Sequence, residues 1–209
     1  MPDEARLLHT DDGLSLEAEV RIPDQPWASA VLCHPHPMGG GSMHTIVPAT
    51  LFDALPPAGV AALRFNFRGV GRSGGTHDQG RAEQRDIVAA IDALAAEVPD
   101  VPLFLTGWSF GAETALAVGD ERVAGWVAVA APLSILPADD LAPARDPRPA
   151  LLLVPEHDQF RDPSSATELT AAWPNTRIVV VAGADHFFGQ GIDHVAAETL
   201  AFMKEQVGG

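Results

Sequence analysis

Short apolar runs recur along the chain, most of them ending at Gly, Pro or Asp, and they constrain its fold more than any other feature. The runs are SAVLCH, GVAALRFNF, PLFLTG, VAGWVAVA, PALLLVP and RIVVVAG. Their hydrophobicity is continuous rather than alternating, which favours strands that are covered on both faces. The pattern therefore predicts a parallel sheet with helices packed against both of its sides.

Segments with helical periodicity lie between these runs. The last, from Asp193 to Gln206, could begin with Asp193 as its N-cap. The clearest runs from Glu83 to Val98 and places Ile87, Ala90, Ile91, Leu94 and Val98 on one stripe. Strands that alternate with helices predict an α/β doubly wound sheet.

The N-terminal segment predicts an antiparallel hairpin at the edge of this sheet, because ARLLHT and LSLEAEVRI flank the turn residues Asp11–Gly13. The length of 209 residues suits one domain with its own core, so we expect residues 1–209 to form a single domain. The longest irregular segment, Leu136–Pro149, is too short for a second domain. The predicted fold class is therefore α/β, with a mostly parallel, doubly wound sheet and an N-terminal antiparallel hairpin.

The charge of the chain excludes several classes of partner. A formal net charge of −15 repels phosphate backbones and anionic lipids, so we expect neither a nucleic-acid nor a membrane partner. Cys33 is the single cysteine, and no internal disulfide can form. The start, MPDEARLLHTDDG, lacks the basic region and apolar run of a secretory signal, and no apolar stretch reaches the roughly 18 residues of a membrane span. These features predict a cytoplasmic protein.

The segment TGWSFG carries the strongest chemical signal. It follows the apolar PLFL and opens the helix-like AETALAV, so Gly107–Gly111 is a Gly-x-Ser-x-Gly motif in a strand–turn–helix setting. Such a turn forces the serine into a sparsely populated backbone conformation, and the two glycines leave room for the neighbouring chain. The motif predicts Ser109 as a nucleophile, although a Gly-rich chain can also contain this pattern by accident.

A serine nucleophile needs a base, and the base needs an acid to orient it. In this setting the acid and then the histidine follow the serine at the ends of later strands. Asp158 lies just past LLLVP and His186 just past VVVAG, which places both outside the carboxyl ends of predicted strands. Glu156 and Asp162 are alternative acids. His194 is a weaker alternative base because it lies inside the predicted last helix.

Four segments resemble those of small, capless bacterial members of the α/β-hydrolase superfamily: CHPHPMGG, LRFNFRGVGRSGG, GWSFGA and GADHFF. The first two are markers of a narrow subgroup, and the resemblance runs from about Ala28 to the end of the chain. It implies Ser109 as nucleophile, Asp158 as acid and His186 as base. One departure lies at the acid, where such proteins usually have Gly-x-x-Asp and this chain has PEHD.

Acyl transfer also requires two backbone amides directed at the oxygen that becomes negative. Phe110, which follows the nucleophile, is expected to supply one, and the loop CHPHPMGGG the other. Pro35 and Pro37 have no amide hydrogen, which leaves His36 as the donor and Met38 as the next possibility. Alignment with the His-Gly-x-Pro loop of larger relatives also selects His36.

The same loop raises a metal alternative, since His34 and His36 would share a strand face and His44 is nearby. Prolines restrict this backbone and no carboxylate lies at ligand spacing, so we expect no metal. His34 is expected to brace the loop by hydrogen bonding. Cys33, inside an apolar strand, is expected to be a small buried hydrophobe.

The segment GVGRSG, residues 69–74, fits the glycine pattern of a dinucleotide-binding turn. A polar stretch, GTHDQGRAEQRD, separates it from the next helical periodicity, whereas such a turn should open directly into a helix. We therefore expect no nicotinamide cofactor. A loop beside the active site, with Arg68 or Arg72 paired to acids, is the preferred interpretation.

These features predict a serine hydrolase that needs no cofactor and acts on a small-molecule acyl substrate, with a carboxylic ester favoured. The same residues could serve a peptidase or amidase, a thioesterase or an acyltransferase, and a related fold could bind ligands without catalysis.

The site is expected to be open, because only Pro132–Arg148 lies where larger relatives carry a lid. About half of the candidate substrate-pocket residues are expected to be core instead. The candidates are Met38, Met43, Trp108, Leu133, Phe160, Phe187 and Phe188.

Overall fold

A computed structural model describes residues 3–208, which contain a single eight-stranded sheet. The strands are β1 (Glu4–His9), β2 (Ser15–Arg21), β3 (Ala28–Cys33), β4 (Val60–Phe65), β5 (Leu103–Trp108), β6 (Val123–Val129), β7 (Ala150–His157) and β8 (Thr176–Asp185). The helices are α1 (Ile46–Ala54), α2 (Glu83–Glu97), α3 (Phe110–Leu116), α4 (Pro163–Thr170) and α5 (Ile192–Val207). Each of the six apolar runs forms one strand, from β3 to β8.

The strand order is β1-β2-β4-β3-β5-β6-β7-β8. The first two strands form an antiparallel hairpin, and β2 also pairs antiparallel with β4. All other pairs are parallel. This is the predicted α/β sheet with its N-terminal hairpin at one edge, and it is confirmed. Because β3 and β5 to β8 run in one direction, the loops that follow them meet at one edge of the sheet.

Apolar side chains pack on both faces of the sheet and form two separate cores. One core joins the sheet to α2 and α3, and the other joins it to α1 and α5. Successive residues of one strand divide between them, since Val31 belongs to the first core and Leu32 to the second. Strands buried on both sides explain why the sequence shows continuous rather than alternating hydrophobicity.

The two helices predicted from periodicity are present. The stripe of α2 is buried as predicted, with Ile87, Ala90, Ile91 and Leu94 fully inaccessible to solvent. The predicted N-cap of α5 is wrong: Gly191, with φ +83°, occupies that position, and Asp193 lies in the first turn of the helix. Gly191 reaches the left-handed conformation at little cost, and the acid still lies where the helix dipole favours negative charge.

The connection between β6 and β7 confirms the expected absence of a lid. Residues 130–149 contain only two single-turn 3₁₀ helices, at Ala138–Asp140 and Ala142–Ala144. A segment of this kind cannot cover the end of the sheet, and the chain is a capless α/β fold. No helix among residues 3–208 is both long enough and apolar enough to cross a membrane.

In the loop after β4, both Arg68 and Arg72 pair with acids, where the sequence predicts a pair for one or the other. The guanidinium of Arg68 contacts Asp86, whose side chain is fully buried, at 2.7 Å, and contacts Asp12 at 2.9 Å. The second arginine, Arg72, contacts Glu17 at 2.7 Å. The buried pair ties this loop to the first turns of α2.

We expect Asp86→Asn to lower the free energy of unfolding by about 3 kcal/mol, because the buried guanidinium of Arg68 would keep only Asp12 as a charged partner. The control is Asp92→Asn on the same helix, whose carboxylate is 60% exposed and pairs with Arg122. That change should cost less than about 1 kcal/mol. Urea unfolding at neutral pH measures both, and equal losses would contradict the importance of the buried pair.

Candidate active site

Ser109 lies in the tight turn between β5 and α3. Its backbone has φ +55° and ψ −120°, a combination that residues with a Cβ rarely adopt. The amide of Ser109 donates to the carbonyl of Val129 on β6 at 2.9 Å, which holds the turn against the sheet. The turn lifts the hydroxyl above the carboxyl ends of the strands.

The glycines on either side allow the chain to pass close to itself. A Cβ at Gly107 would lie 2.5 Å from the carbonyl carbon of Gly111. A Cβ at Gly111 would lie 2.6 Å from the carbonyl oxygen of Cys33, at the end of β3. Neither position has room for another side chain, which is the crowding that the motif predicts.

Three side chains meet at the end of the sheet in one hydrogen-bonded series. The Oγ of Ser109 lies 2.9 Å from Nε2 of His186, and Nδ1 of His186 lies 2.9 Å from Oδ2 of Asp158. Asp158 directly follows β7 and His186 directly follows β8. The structure therefore brings together the three residues that the sequence analysis selected.

The carboxylate of Asp158 is fixed by its own loop. Its Oδ1 accepts hydrogen bonds from the amides of Phe160 at 2.7 Å and Arg161 at 3.2 Å, while Oδ2 remains for His186. The side chain is 1% exposed, so water does not compete for these bonds. An ionised carboxylate in this position can orient the imidazole and favours a proton on Nδ1.

The alternative acids and base have other contacts. Glu156 accepts a hydrogen bond from the amide of Gly183, and Asp162 caps the N-terminus of α4. His194 lies on α5, 3.8 Å from Glu198. In the PEHD segment, β7 continues to His157, and its register against β8 shifts after Pro155. Asp158, the last residue of the segment, is thereby placed at His186.

Two backbone amides near Ser109 are available to a ligand. Phe110 is the first residue of α3, so its amide has no partner within the helix. Among residues 35–41, only His36 has an amide hydrogen that no acceptor in the described part of the chain engages. The amide of Met38, the other candidate, donates to the ring of His36 at 3.1 Å.

His34 braces the loop from below. Its ring is fully buried; Nδ1 lies 2.7 Å from the carbonyl of Pro35, and Nε2 accepts from the amide of Phe67 at 3.0 Å. Because an amide can only donate, the proton of the neutral ring is on Nδ1. Burial lowers the pKa of His34 to about 4, although the bond to Pro35 acts in the opposite direction.

A cleft of about 160 Å³ opens beside Ser109 and His186. It is also lined by Pro35, His36, Thr45, Trp108, Phe187 and the glycines at 39–41. No lysine, arginine, aspartate or glutamate is among these lining residues. The cleft therefore suits a small, uncharged group.

The candidate pocket residues divide into three groups. Trp108 and Phe187 line the cleft, and the indole of Trp108 donates to the carbonyl of His186 at 3.1 Å. Phe160 does not line it, but its ring centroid lies 4.4 Å from that of His186. The other candidates are Met38, Met43, Leu133 and Phe188, none of which lines the cleft.

Three of these four predictions are corrected for one reason. Met43, Leu133 and Phe188 are at most 4% exposed, because apolar residues in loops beside the site pack into the protein beneath those loops. Met38 is corrected for the opposite reason, since it is 80% exposed and extends into solvent.

Two polar residues that the sequence analysis did not select hold the segment where larger relatives carry a lid. Glu113, one turn after Ser109, is fully buried and accepts from the amides of Ser134, Ile135 and Leu136. Arg161 donates to the carbonyls of Pro132 and Leu133, at 2.9 and 3.2 Å. A charged residue among apolar ones, as in AETALAV, is the sequence signal that could have identified Glu113.

No group of three or more His, Cys, Asp or Glu side chains within residues 3–208 is arranged to hold a metal ion. Both ring nitrogens of His34 contact backbone groups, and His44 lies 3.9 Å from Glu19. Cys33 is 1% exposed, and burial raises the pKa of its thiol. It is the small buried residue that the sequence predicts.

The fold and this site define a class of protein, the capless α/β serine hydrolases. The sequence pattern of the family described as serine aminopeptidase, S33, matches residues 25–145, which is more than half of the chain. The chain belongs to this family of α/β serine hydrolases.

Individual relatives are similar to this chain over most of its length. The uncharacterized protein RP471 of Rickettsia prowazekii is 31% identical over 183 residues, which cover 82% of this chain and 75% of that protein. An alpha-beta serine hydrolase homologue from Coxiella burnetii is 29% identical with a TM-score of 0.82, covering 98% of this chain and 97% of its own. XC6422 from Xanthomonas campestris, a serine hydrolase without a lid, is 27% identical with a TM-score of 0.83, covering 99% and 95%.

The lowered pKa of His34 predicts a pH dependence of stability. The unfolded chain takes up a proton at this histidine near pH 6.5, but the folded protein resists it until about pH 4. Stability should therefore fall by up to about 3 kcal/mol as the pH is lowered through this window, because the unfolded state binds more protons.

His34→Gln keeps an acceptor for Phe67 but removes the titrating ring. Chemical unfolding of both proteins at about pH 7 and about pH 4.5 should show a loss that is about 2 kcal/mol smaller in the variant. Equal losses in the two proteins would show that His34 titrates normally in the folded state.

Proposed function

We propose that this protein is a carboxylesterase that cleaves small or medium, uncharged esters through an acyl-enzyme. The observation that carries the proposal is the series of two 2.9 Å contacts from Ser109 through His186 to Asp158. A serine hydroxyl in contact with an oriented imidazole is the arrangement that acyl transfer requires.

In the first half of the reaction, Oγ of Ser109 attacks the carbonyl carbon while Nε2 of His186 accepts the hydroxyl proton. Asp158 stabilises the imidazolium through Nδ1 without taking up the proton itself. His186 then donates its proton to the leaving alcohol, and the acyl group remains on Ser109. Water repeats these steps in the second half, with His186 as base, and releases the acid.

The amides of His36 and Phe110 stabilise the negative oxygen of both tetrahedral intermediates. Their support is that each is free of an internal acceptor within residues 3–208 and that His36 and Ser109 line the same cleft. Loss of one such donor typically costs about 10²–10³ in rate.

The cleft supports an uncharged ester as the substrate class. Its volume of about 160 Å³ leaves room for a small group beside Ser109. A net charge of −15 over the whole chain further disfavours anionic substrates. Phe160 and Phe187 are 58% and 57% exposed beside the cleft and can contact an apolar part of the substrate that extends beyond it.

The family description suggests an aminopeptidase as the second candidate. An enzyme that removes an N-terminal residue must bind a free ammonium group, for which a carboxylate is the usual partner. No acidic residue lines the cleft, and the carboxylate of Asp158 is occupied by His186 and two amides. This supports the ester over the peptide.

Labelling with a fluorophosphonate tests the nucleophile. We expect one equivalent of probe to attach to the native protein at Ser109 and none to Ser109→Ala, because only an activated serine attacks the phosphorus at an appreciable rate. Intact-mass spectrometry and peptide mapping measure both. The control is Ser164→Ala, an exposed serine of α4 that should leave labelling unchanged. Labelling at another residue, or none in a folded sample, would overturn the proposed mechanism.

Matched substrates test the bond that is cleaved. We expect kcat/KM for p-nitrophenyl butyrate to exceed that for butyryl p-nitroanilide and for a butyryl thioester by at least ~10-fold, which is about 1.4 kcal/mol in transition-state free energy. Leucine p-nitroanilide should be cleaved more slowly still. Faster cleavage of leucine p-nitroanilide would favour the aminopeptidase, and faster cleavage of the thioester a thioesterase.

A further inference from the structure

The loop between β4 and α2 contributes a residue to the surroundings of the active site. This loop contains GVGRSG, and the polar stretch after it carries His77. The ring of His77 lies 4.7 Å from the ring of His36 and 5.1 Å from that of Phe110, measured between centroids. The rings of His36 and Phe110 are themselves 5.1 Å apart. The three rings therefore form a nearly equilateral triangle, which we call the ring triangle.

Two members of the ring triangle carry the free amides of the site. His36 lies in the loop after β3, and Phe110 lies at the start of α3. These are separate segments, and an oxyanion is stabilised only if both amides point at one position within a few tenths of an ångström. His77 contacts both rings from a third segment, so it fixes one donor relative to the other.

A buried acid lies beside the ring of His77. Oε1 of Glu83 lies 2.8 Å from Nδ1 of His77, and the Glu83 side chain is fully buried. The carboxylate also accepts from the amides of Asp78 at 2.7 Å and Gly80 at 2.9 Å. No described residue makes a well-aligned hydrogen bond to Nδ1, so Glu83 lies within contact distance of the ring without completing a hydrogen bond to it.

The surroundings of His36 also favour the neutral form of its ring. Burial lowers the pKa of His36, the neighbouring His77 adds a smaller effect in the same direction, and Glu83 acts in the opposite direction. A neutral ring is what allows Nδ1 of His36 to accept from the amide of Met38. Because that bond engages the Met38 amide, the His36 amide is the free donor among residues 35–41.

We propose that His77 is a positioning residue whose ring keeps the amides of His36 and Phe110 aligned on the oxyanion. This inference rests on the proposed serine hydrolase mechanism. The contribution of His77 is the packing of a flat ring. An aromatic side chain of similar shape should therefore replace it, whereas a small side chain should not.

The test compares His77→Ala and His77→Phe on p-nitrophenyl butyrate. We expect His77→Ala to lower kcat by about 10-fold with KM nearly unchanged, because misaligned donors weaken binding of the transition state more than that of the substrate. His77→Phe should keep kcat within about 3-fold of the native value, since the ring contacts remain. His9→Ala, an exposed histidine on β1, is the matched control.

A second measurement separates alignment from a general structural effect. Phenylboronic acid forms a bond from boron to Oγ of Ser109 as the hydroxyl proton passes to Nε2 of His186, and one oxygen of the tetrahedral adduct occupies the oxyanion position. Its Kd should rise in His77→Ala by the same factor by which kcat falls. If His77→Ala does not fold, His77→Leu replaces it in both measurements, with the same direction of change expected.

Each outcome decides the proposal. Native kcat in His77→Ala would overturn it, as would equal losses in His77→Ala and His77→Phe, which would assign the effect to the imidazole nitrogens. A fall in kcat without a change in the Kd of the boronic acid would also overturn it. Failure of the mechanism itself is distinguishable, because the native protein would then neither cleave the ester nor react with a fluorophosphonate at Ser109.

Discussion

The site depends on one close backbone contact, where the start of α3 crosses the end of β3. Gly111 lies so near the carbonyl of Cys33 that no side chain fits between them. This contact brings the turn that carries Ser109 against the loop that carries His36. Without it, the hydroxyl of Ser109 and the amide of Phe110 would lie apart from the amide of His36. The strained φ of +55° at Ser109 is the local cost of that approach.

Around this contact, buried and half-buried polar groups hold the loops in the absence of a lid. Glu113 binds the segment after β6 through three backbone amides, and Arg161 binds the same segment through two carbonyls. The ion pair between Asp86 on α2 and Arg68 holds the loop after β4. Each is a charged group whose partners are fixed by the fold, since a buried charge without them would be costly. The segments beside the site are thereby held by polar contacts although no lid covers them.

Much of this could be read from the chain in advance. Continuous apolar runs specified the strands because both faces of a parallel sheet are buried, and that burial leaves a clear pattern. The Gly-x-Ser-x-Gly motif specified the turn because its geometry tolerates few other residues. Two prolines reduced the choice of amide donor to His36 or Met38, and the structure supplies the reason for preferring His36. The catalytic roles of Ser109, Asp158 and His186 remain predictions that their geometry supports.

The sequence by itself determined the order of strands and helices, the turn at Ser109 and the acid and histidine at later strand ends, because these follow from local pattern and chain order. Only the tertiary structure decided which apolar loop residues face the cleft. Met43, Leu133 and Phe188 are as apolar as Trp108 and Phe187, and burial depends on what lies beneath each loop. It also decided that His77 meets His36 and Phe110, since contacts among three distant segments leave no periodic trace in the chain.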